Sequence, residues 1–268
     1  MGLRGGELSS YSIGKTRKSR RRRAREDVGY MGASADRRGI VTGAGSGIGK
    51  AAALRMAREG VEVLAVDLNA EGLATLGSSC ETLVGDVTDP EVRRRLAEWA
   101  EGADYLVNAA GIIVIKPIFE VTVEDWRRVQ TVNAEAIFFL CQAIGPRLRP
   151  GGAIVNLSSL SAKLSTTVEV AAYGASKTTI LSITRSFAYA LASRSVRVNA
   201  ILPGIVDTPM QEVVLAKVAP MRGLGVAELS AARNKQVPLG RGASPRGPTE
   251  LTTSSTPQAS SSSNRSST

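Results

Sequence analysis

From Gly39 onward the sequence alternates short apolar runs with segments of helical period, and this alternation narrows the possible folds more than any other feature. Residues 39–42 read as the end of a first strand, and 61–67, 82–86, 104–108, 153–157 and 196–202 as five more. Residues 48–59 and 92–101 are helical, and a further helix runs from about Tyr173 to Leu191. Thr122 and Asp125 have the spacing of a capping box, opening a long helix with Trp126, Val129, Ile137 and Leu140 on one side. Alternation this regular predicts an α/β fold, a parallel doubly wound sheet of six strands. With 268 residues and 43% hydrophobic content, the chain can build one substantial core, so a single domain is expected.

Composition removes several kinds of chemistry. There is no histidine, which excludes Ser-His-Asp and Cys-His nucleophiles and every His-ligated metal; no metal site is expected. Acid-base work falls to Tyr, Lys, Asp or Glu. Cys80 and Cys141 have neither partners nor metal-ligand spacing and read as reduced thiols of a cytoplasmic protein. The net charge of +10 suggests nucleic acid until it is divided along the chain. Residues 1–38 hold 11 basic against 4 acidic residues and 241–268 hold 3 against 1, leaving 20 against 19 in the body. The neutral body argues against nucleic acid as a partner. No apolar run approaches the ~18 residues of a membrane span, and the N-terminus lacks the apolar stretch of a secretion signal. Three segments are expected: a disordered basic arm at 1–38, a folded domain at 39–240, and a disordered Ser/Thr-rich tail at 241–268. Translation beginning further on, for instance at Met31, would account for the arm.

Thr42-Gly-Ala-Gly-Ser-Gly-Ile-Gly49 stands between the first strand and the first helix, where a phosphate-binding turn belongs. Glycines let the backbone approach a pyrophosphate, and the helix start behind them offers unpaired N–H groups and about half a positive charge. Asp67 ends the next strand, 24 residues past Gly43, placed to accept hydrogen bonds from ribose hydroxyls. The same carboxylate would repel a 2′-phosphate, and neither Ser46 nor Leu68 is basic, so NAD is expected rather than NADP.

Tyr173-Gly-Ala-Ser-Lys177 puts a phenol and an ammonium on one helix face. A nearby cation favours the phenolate, so the pair can transfer a proton. Together with Asp86-Val87, Asn108-Ala-Ala-Gly111, Asn133, Ser158-Ser159 and Pro203-Gly204, all in order, these motifs resemble the short-chain dehydrogenase/reductase family from about Ile40 to Arg241.

The resemblance implies a Rossmann domain with Tyr173 as general acid/base. Lys177 would lower the tyrosine pKa and bind the nicotinamide ribose, and Ser159 would hydrogen-bond the substrate oxygen. Asn133 would hold a water linking Lys177 to solvent; its place on an apolar helix stripe independently demands a buried partner. Ser159 lies fourteen residues before Tyr173 where many relatives have thirteen, which leaves Ser158 and Ser161 as alternatives. For the cofactor, the resemblance implies contacts from Gly43, Ser46, Gly47, Ile48 and Gly49. Asp86 and Val87 would meet the adenine, with Asn108, Ala109, Ala110 and Gly111 beside the adenosine ribose. Pro203, Gly204, Val206 and Thr208 would lie at the nicotinamide, as would Tyr173 and Lys177.

Residues 209–236 correspond to the family's substrate lid, and Met210, Val213, Val214, Leu215, Val218 and Met221 suit an apolar cover. The implied activity is NAD-dependent interconversion of a secondary alcohol (polyol, sugar or small hydroxy compound) and its ketone. The alternatives are a 3-oxoacyl-thioester reductase, a non-catalytic dinucleotide-binding or interaction protein, and a nucleic-acid binder using the arm. Relatives form homotetramers and continue past Val237-Pro-Leu-Gly-Arg241 with a helix and a seventh strand; here the Ser/Thr-rich tail follows. A frameshift or truncation, an exposed sheet edge and weakened assembly are therefore expected.

Overall fold

A computed structural model describes residues 37–165 and 167–245. Most of the expected arm and tail lies outside the described residues. The six apolar runs form the strands β1 Arg38–Thr42, β2 Glu62–Asp67, β3 Glu81–Val84, β4 Tyr105–Asn108, β5 Ala153–Leu157 and β6 Arg197–Ile201. They make one parallel sheet in the order β3-β2-β1-β4-β5-β6.

The β-branched runs suit this setting because both faces of the sheet are covered. Neighbouring residues of a strand point to opposite sides, so Ile40, Leu64, Leu106 and Ile154 enter one core and Val41, Val63 and Ala65 the other. The helices α1 Gly47–Arg58 and α2 Ala70–Ala74 cover the second core. The first is closed by α3 Pro90–Trp99, by α5 Ala136–Ile144 and by α6 Ala171–Ala190, against which α4 Val123–Gln130 packs. Beyond β6, α7 Pro209–Met221 and α8 Val226–Asn234 close a third apolar cluster over the sheet's C-terminal end.

The long helix departs from its expected form in two ways. Its capping box is present, with Thr122 Oγ1 accepting from Asp125 N and Asp125 Oδ2 from Thr122 N, each at 3.1 Å. However, a π turn, Thr131–Glu135, divides it into α4 and α5. Trp126 is also 46% exposed, whereas Val129, Ile137 and Leu140 are buried. The first turn of α4 lies in solvent, so the buried stripe begins only at Val129.

Among the described residues the sheet has six strands and ends on β6, where Ile201 is half exposed. Past β6 a single parallel bridge joins Val206 to Ala243, with Asp207 N donating to Ala243 O and Ala243 N to Ile205 O, both at 2.9 Å. No helix among the described residues is long and apolar enough to cross a membrane.

Candidate active site

The strand order reverses between β1 and β4, and at such a switch point the connections leave the sheet in opposite directions and open a crevice. The crevice here is a cleft of about 1090 Å³ that runs from the glycine turn to the lid helices. Its first wall is the turn between β1 and α1. Gly43 (φ +67°) has a conformation that favours glycine, and a Cβ there would stand 2.6 Å from Ala110 N. At Gly49 a Cβ would stand 2.1 Å from Gly43 O. Thr42 Oγ1 accepts from the backbone N–H groups of Ala109 and Ala110 at 3.2 and 3.3 Å, which holds the segment after β4 against the turn. No side chain caps the start of α1 and no acid stands in its first turn, so its N–H groups remain open to the cleft.

Asp67 braces this turn. Its Oδ2 accepts from Gly45 N at 2.8 Å and its Oδ1 from Asn69 N at 2.9 Å, which leaves a lone pair on each oxygen for a ligand. Asp67 and Asp86 are the carboxylates lining the cleft, while its cations are Lys177, Arg233 and Arg241.

The second wall brings Ser159, Tyr173 and Lys177 together. Tyr173 lies in the first turn of α6 and Lys177 one turn on, with its Nζ 5.5 Å from the phenol ring centroid. Lys177 is 4% exposed and donates to Leu157 O at 2.8 Å. Burial pulls its ammonium from the ordinary 10.5 down to about 8. Tyr173 is shifted upward, mainly by burial, with the hydrogen bond from Ser159 acting the other way. The sequence led us to expect that Lys177 draws the phenol down; instead burial wins, because the ring packs against the apolar cluster of Ile115, Val170 and Val214.

The three serines divide their roles. Ser159 interacts with the phenol and lines the cleft. Ser158 is buried and donates to Lys177 O at 2.7 Å, and Ser161 N donates to Ser159 Oγ at 3.2 Å. Asn133 sits in the π turn, fully buried. Its Oδ1 accepts from Ile112 N at 2.8 Å, and its Nδ2 donates to Ile112 O at 2.9 Å and Ser176 Oγ at 3.0 Å. A Cβ at Gly111 would meet Asn133 Oδ1 at 3.2 Å and Lys177 Nζ at 3.4 Å, so that position must stay small for the two groups to approach.

Gly43, Ser46, Gly47, Ile48, Gly49, Asp67, Asp86 and Val87 all line the cleft. So do Ala109, Ala110, Gly111, Ser159, Tyr173, Lys177, Pro203, Gly204, Val206 and Thr208. Asn108 does not. It is fully buried and its Nδ2 donates to Asn156 Oδ1 at 2.8 Å, because the pleat turns it into the core rather than toward the crevice. Asn133 also stands behind the cleft wall, acting through Ile112 and Ser176. In the lid, Met210 and Val214 face the cleft while Val213 and Met221 are exposed. Arg233, on α8, is a cleft residue that the sequence reading missed. It is the one basic residue of Val226–Asn234, a helix whose other charge is Glu228 in the first turn, and this was the available signal.

A doubly wound sheet with a glycine turn at its switch point and a tyrosine-lysine pair across the crevice defines a dinucleotide-binding dehydrogenase class. Residues 43–247 match the profile of the enoyl-(acyl carrier protein) reductase family. Galactitol 2-dehydrogenase of Agrobacterium fabrum is 37% identical over 218 residues, 77% of this chain and 84% of that protein. The crystal structure of a glucose/ribitol dehydrogenase of the short-chain dehydrogenase/reductase group from Brucella melitensis superposes with a TM-score of 0.70 and 32% identity, covering 78% of this chain and 84% of that one. A variant of actinorhodin polyketide ketoreductase, solved with NADPH, gives 0.71 and 30%, covering 79% and 86%. This chain belongs to the short-chain dehydrogenase/reductase family of oxidoreductases.

Proposed function

We propose that this protein is an NAD-dependent oxidoreductase that interconverts a secondary alcohol and its ketone, with a polyol, sugar or small hydroxy compound as substrate. The observation that carries this reading is the convergence of Ser159, Tyr173 and Lys177 on a cleft whose far wall is the open glycine turn. The residues present fit a dinucleotide: the turn is a cradle that a Cβ at Gly43 or Gly49 would fill, and the start of α1 is uncapped. Gly43, Ser46, Gly47, Ile48 and Gly49 would hold the pyrophosphate, and Asp67 the ribose hydroxyls. Asp86 and Val87 would meet the adenine, with Ala109 to Gly111 beside its ribose. Ser46 and Leu68, which line the cleft with Asp67, carry no positive charge to receive a 2′-phosphate, which favours NAD over NADP. When bound, the nicotinamide accepts hydride from the carbinol carbon or returns it.

The chain's own residues move the proton. Ser159 orients the substrate oxygen against Tyr173. In oxidation the Tyr173 phenolate takes the hydroxyl proton, and in reduction the neutral phenol donates it to the carbonyl oxygen. Lys177, held 5.5 Å from the ring, stabilises the phenolate at that moment. Asn133 fixes the 111–112 segment and Ser176, and it would hold a water linking Lys177 to solvent. Val206 and Thr208 would hold the nicotinamide end, with Pro203 and Gly204 shaping the turn before them. We place the folded domain at 39–240 and the protein in the cytoplasm, as a homo-oligomer whose assembly the open β6 edge weakens.

Reading NAD⁺ and NADP⁺ reduction over a panel of polyols, sugars and secondary alcohols tests the assignment. Tyr173→Phe should lower kcat by ~10²–10⁴; unchanged turnover in that variant would defeat it. Similarity to a 3-oxoacyl-(acyl-carrier-protein) reductase of Thermotoga maritima, 37% identical over 186 residues, favours a second reading as a 3-oxoacyl-thioester reductase. In that case a 3-oxoacyl thioester would outcompete every polyol.

A further inference from the structure

The segment after β6 brings a cation into the cleft that no acid hydrogen-bonds among the described residues. Arg233 projects from α8 into the cleft, and its Nη1 is buried with no hydrogen-bond partner among the described residues. Leu229, one turn earlier on α8, packs in the same apolar cluster as Val170 and Tyr173, so Arg233 belongs to the tyrosine end of the cleft. Glu169 is the nearby acid; each of its oxygens accepts from Arg222 in a two-pronged pair at 2.7 Å, and neither is hydrogen-bonded to Arg233 Nη1. Burial first, and then the like charge of Arg222, disfavours the Arg233 cation, with Glu169 only partly opposing them. The cleft's own carboxylates, Asp67 and Asp86, stand at its glycine-turn end. A guanidinium stays charged under all ordinary conditions, and although Arg233 is only half-buried, leaving its buried Nη1 without an acceptor is unfavourable unless a ligand supplies one. Of the cleft residues that the same segment contributes, Met210, Val214 and Val237 have apolar side chains, and Gln211 and Gln236 carry only neutral amides.

We propose that Arg233 is the specificity-determining residue of the cleft, and that it receives an anionic group, a carboxylate or a phosphate monoester, on the alcohol or ketone whose reacting oxygen lies against Tyr173. The substrate class is then an anionic hydroxy compound rather than a neutral polyol. This rests on the oxidoreductase reading above and narrows its substrate. A planar guanidinium suits either anion, since both offer paired oxygens to its two N–H edges.

The test uses matched pairs that differ in charge: lactate and lactamide, 3-hydroxybutyrate and 3-hydroxybutyramide, glycerol 3-phosphate and glycerol. In the full chain at least one anion should exceed its neutral partner in kcat/KM by ~10- to 100-fold, the range of a charge-assisted hydrogen bond. The pair that shows it tells carboxylate from phosphate. In Arg233→Met that ratio should collapse to near one, and Arg233→Lys should keep part of it. A ratio near one in the unaltered protein, or one that survives in Arg233→Met while both arms fall together, overturns the proposal. Turnover of neutral alcohols without anion preference would leave the oxidoreductase reading intact and sink only this one. If no compound of any pair is turned over, thermal unfolding with acetate and with inorganic phosphate decides. A rise in Tm present in the unaltered chain and absent in Arg233→Met upholds the site, and equal shifts or none reject it.

Discussion

Replacing Lys177 with methionine should abolish turnover yet leave the protein no less stable at neutral pH. The ammonium is 4% exposed and its pKa falls from 10.5 to about 8 through burial alone. At ~1.4 kcal/mol for each tenfold change in proton affinity, holding it charged in the folded state is unfavourable by about 3 kcal/mol. Methionine relieves that term but leaves Leu157 O without its donor, a loss of ~1–3 kcal/mol. The two nearly cancel. The pH dependence separates them, because the unfolded chain keeps the lysine proton to about 10.5 and the folded chain only to about 8. Between those values the unfolded state binds more protons, so stability rises with pH. Below about 8 the unfavourable term is constant, and by 10.5 it is gone. Tyr173 acts in the opposite sense above its ordinary value of 10, since its raised pKa makes the folded state retain a proton that the unfolded state has lost. Urea unfolding of the full chain from pH 7 to 10, beside Lys177→Met, is the measurement. The unaltered protein should gain ~2–3 kcal/mol over the variant across this range. Parallel curves, or a variant less stable by more than ~3 kcal/mol at pH 7, would show that the lysine is not held in the strained, desolvated state described here.

Gly49→Ala should lose dinucleotide binding and ~1–3 kcal/mol of stability, because its Cβ would stand 2.1 Å from Gly43 O and the turn must open to admit it. Calorimetric titration with NAD⁺ and a melt of the same sample read both effects, and unaltered affinity would contradict the cradle. Cys141 is fully buried and its thiol is pushed up to about 12, whereas Cys80 is partly exposed. A thiol reagent at pH 8 should therefore modify Cys80 alone, with Cys141 reacting only at the rate of unfolding. Two thiols reacting at one rate would refute that packing.

The sequence made the strands legible because parallel strands buried on both sides are written as apolar runs, and 63–66 within the second strand has that form. The glycine turn was legible for a similar local reason, since its conformation depends on residues within one short segment. What failed to show were partners distant in the chain. Asn108 reads as a cleft residue in its motif, yet its amide is bound by Asn156, 48 positions on. Asn133 was expected to need a buried partner; finding Ser176, 43 positions away, and both backbone groups of Ile112 needed the packed helices. The solvent-facing first turn of α4 and the π turn after it obey no period that a sequence window can detect. The upward shift of Tyr173 was missed because the spacing revealed the lysine, while the apolar cluster around the ring comes from the lid and the segment before α6.

These distant partners explain why the helix carrying the pair can hold it. Tyr173 and Lys177 share a face by helical spacing, but spacing does not fix how deep that face sits or how it is rotated. Side chains on α6 itself and on its neighbours supply the missing constraints. Ser158 ties the carbonyl of Lys177 to the end of β5, Asn156 Nδ2 reaches Thr184 Oγ1 at 3.0 Å two turns further along, and Asn133 holds Ser176 from the π turn. The Lys177 ammonium itself closes onto Leu157 O. Four bonds from two directions therefore locate one helix, and each joins groups that would be unfavourable in the interior if unpaired. An apolar interface could pack as tightly, but it would let α6 slide by a fraction of a turn at little cost. The polar straps do not, since each has one partner at one distance. A π turn is a frequent companion of functional sites, and here it lies where Asn133 reaches both Ile112 and Ser176. The buried asparagines and serines thus serve position rather than stability, and the uncomfortable lysine is the group they are arranged to keep in place.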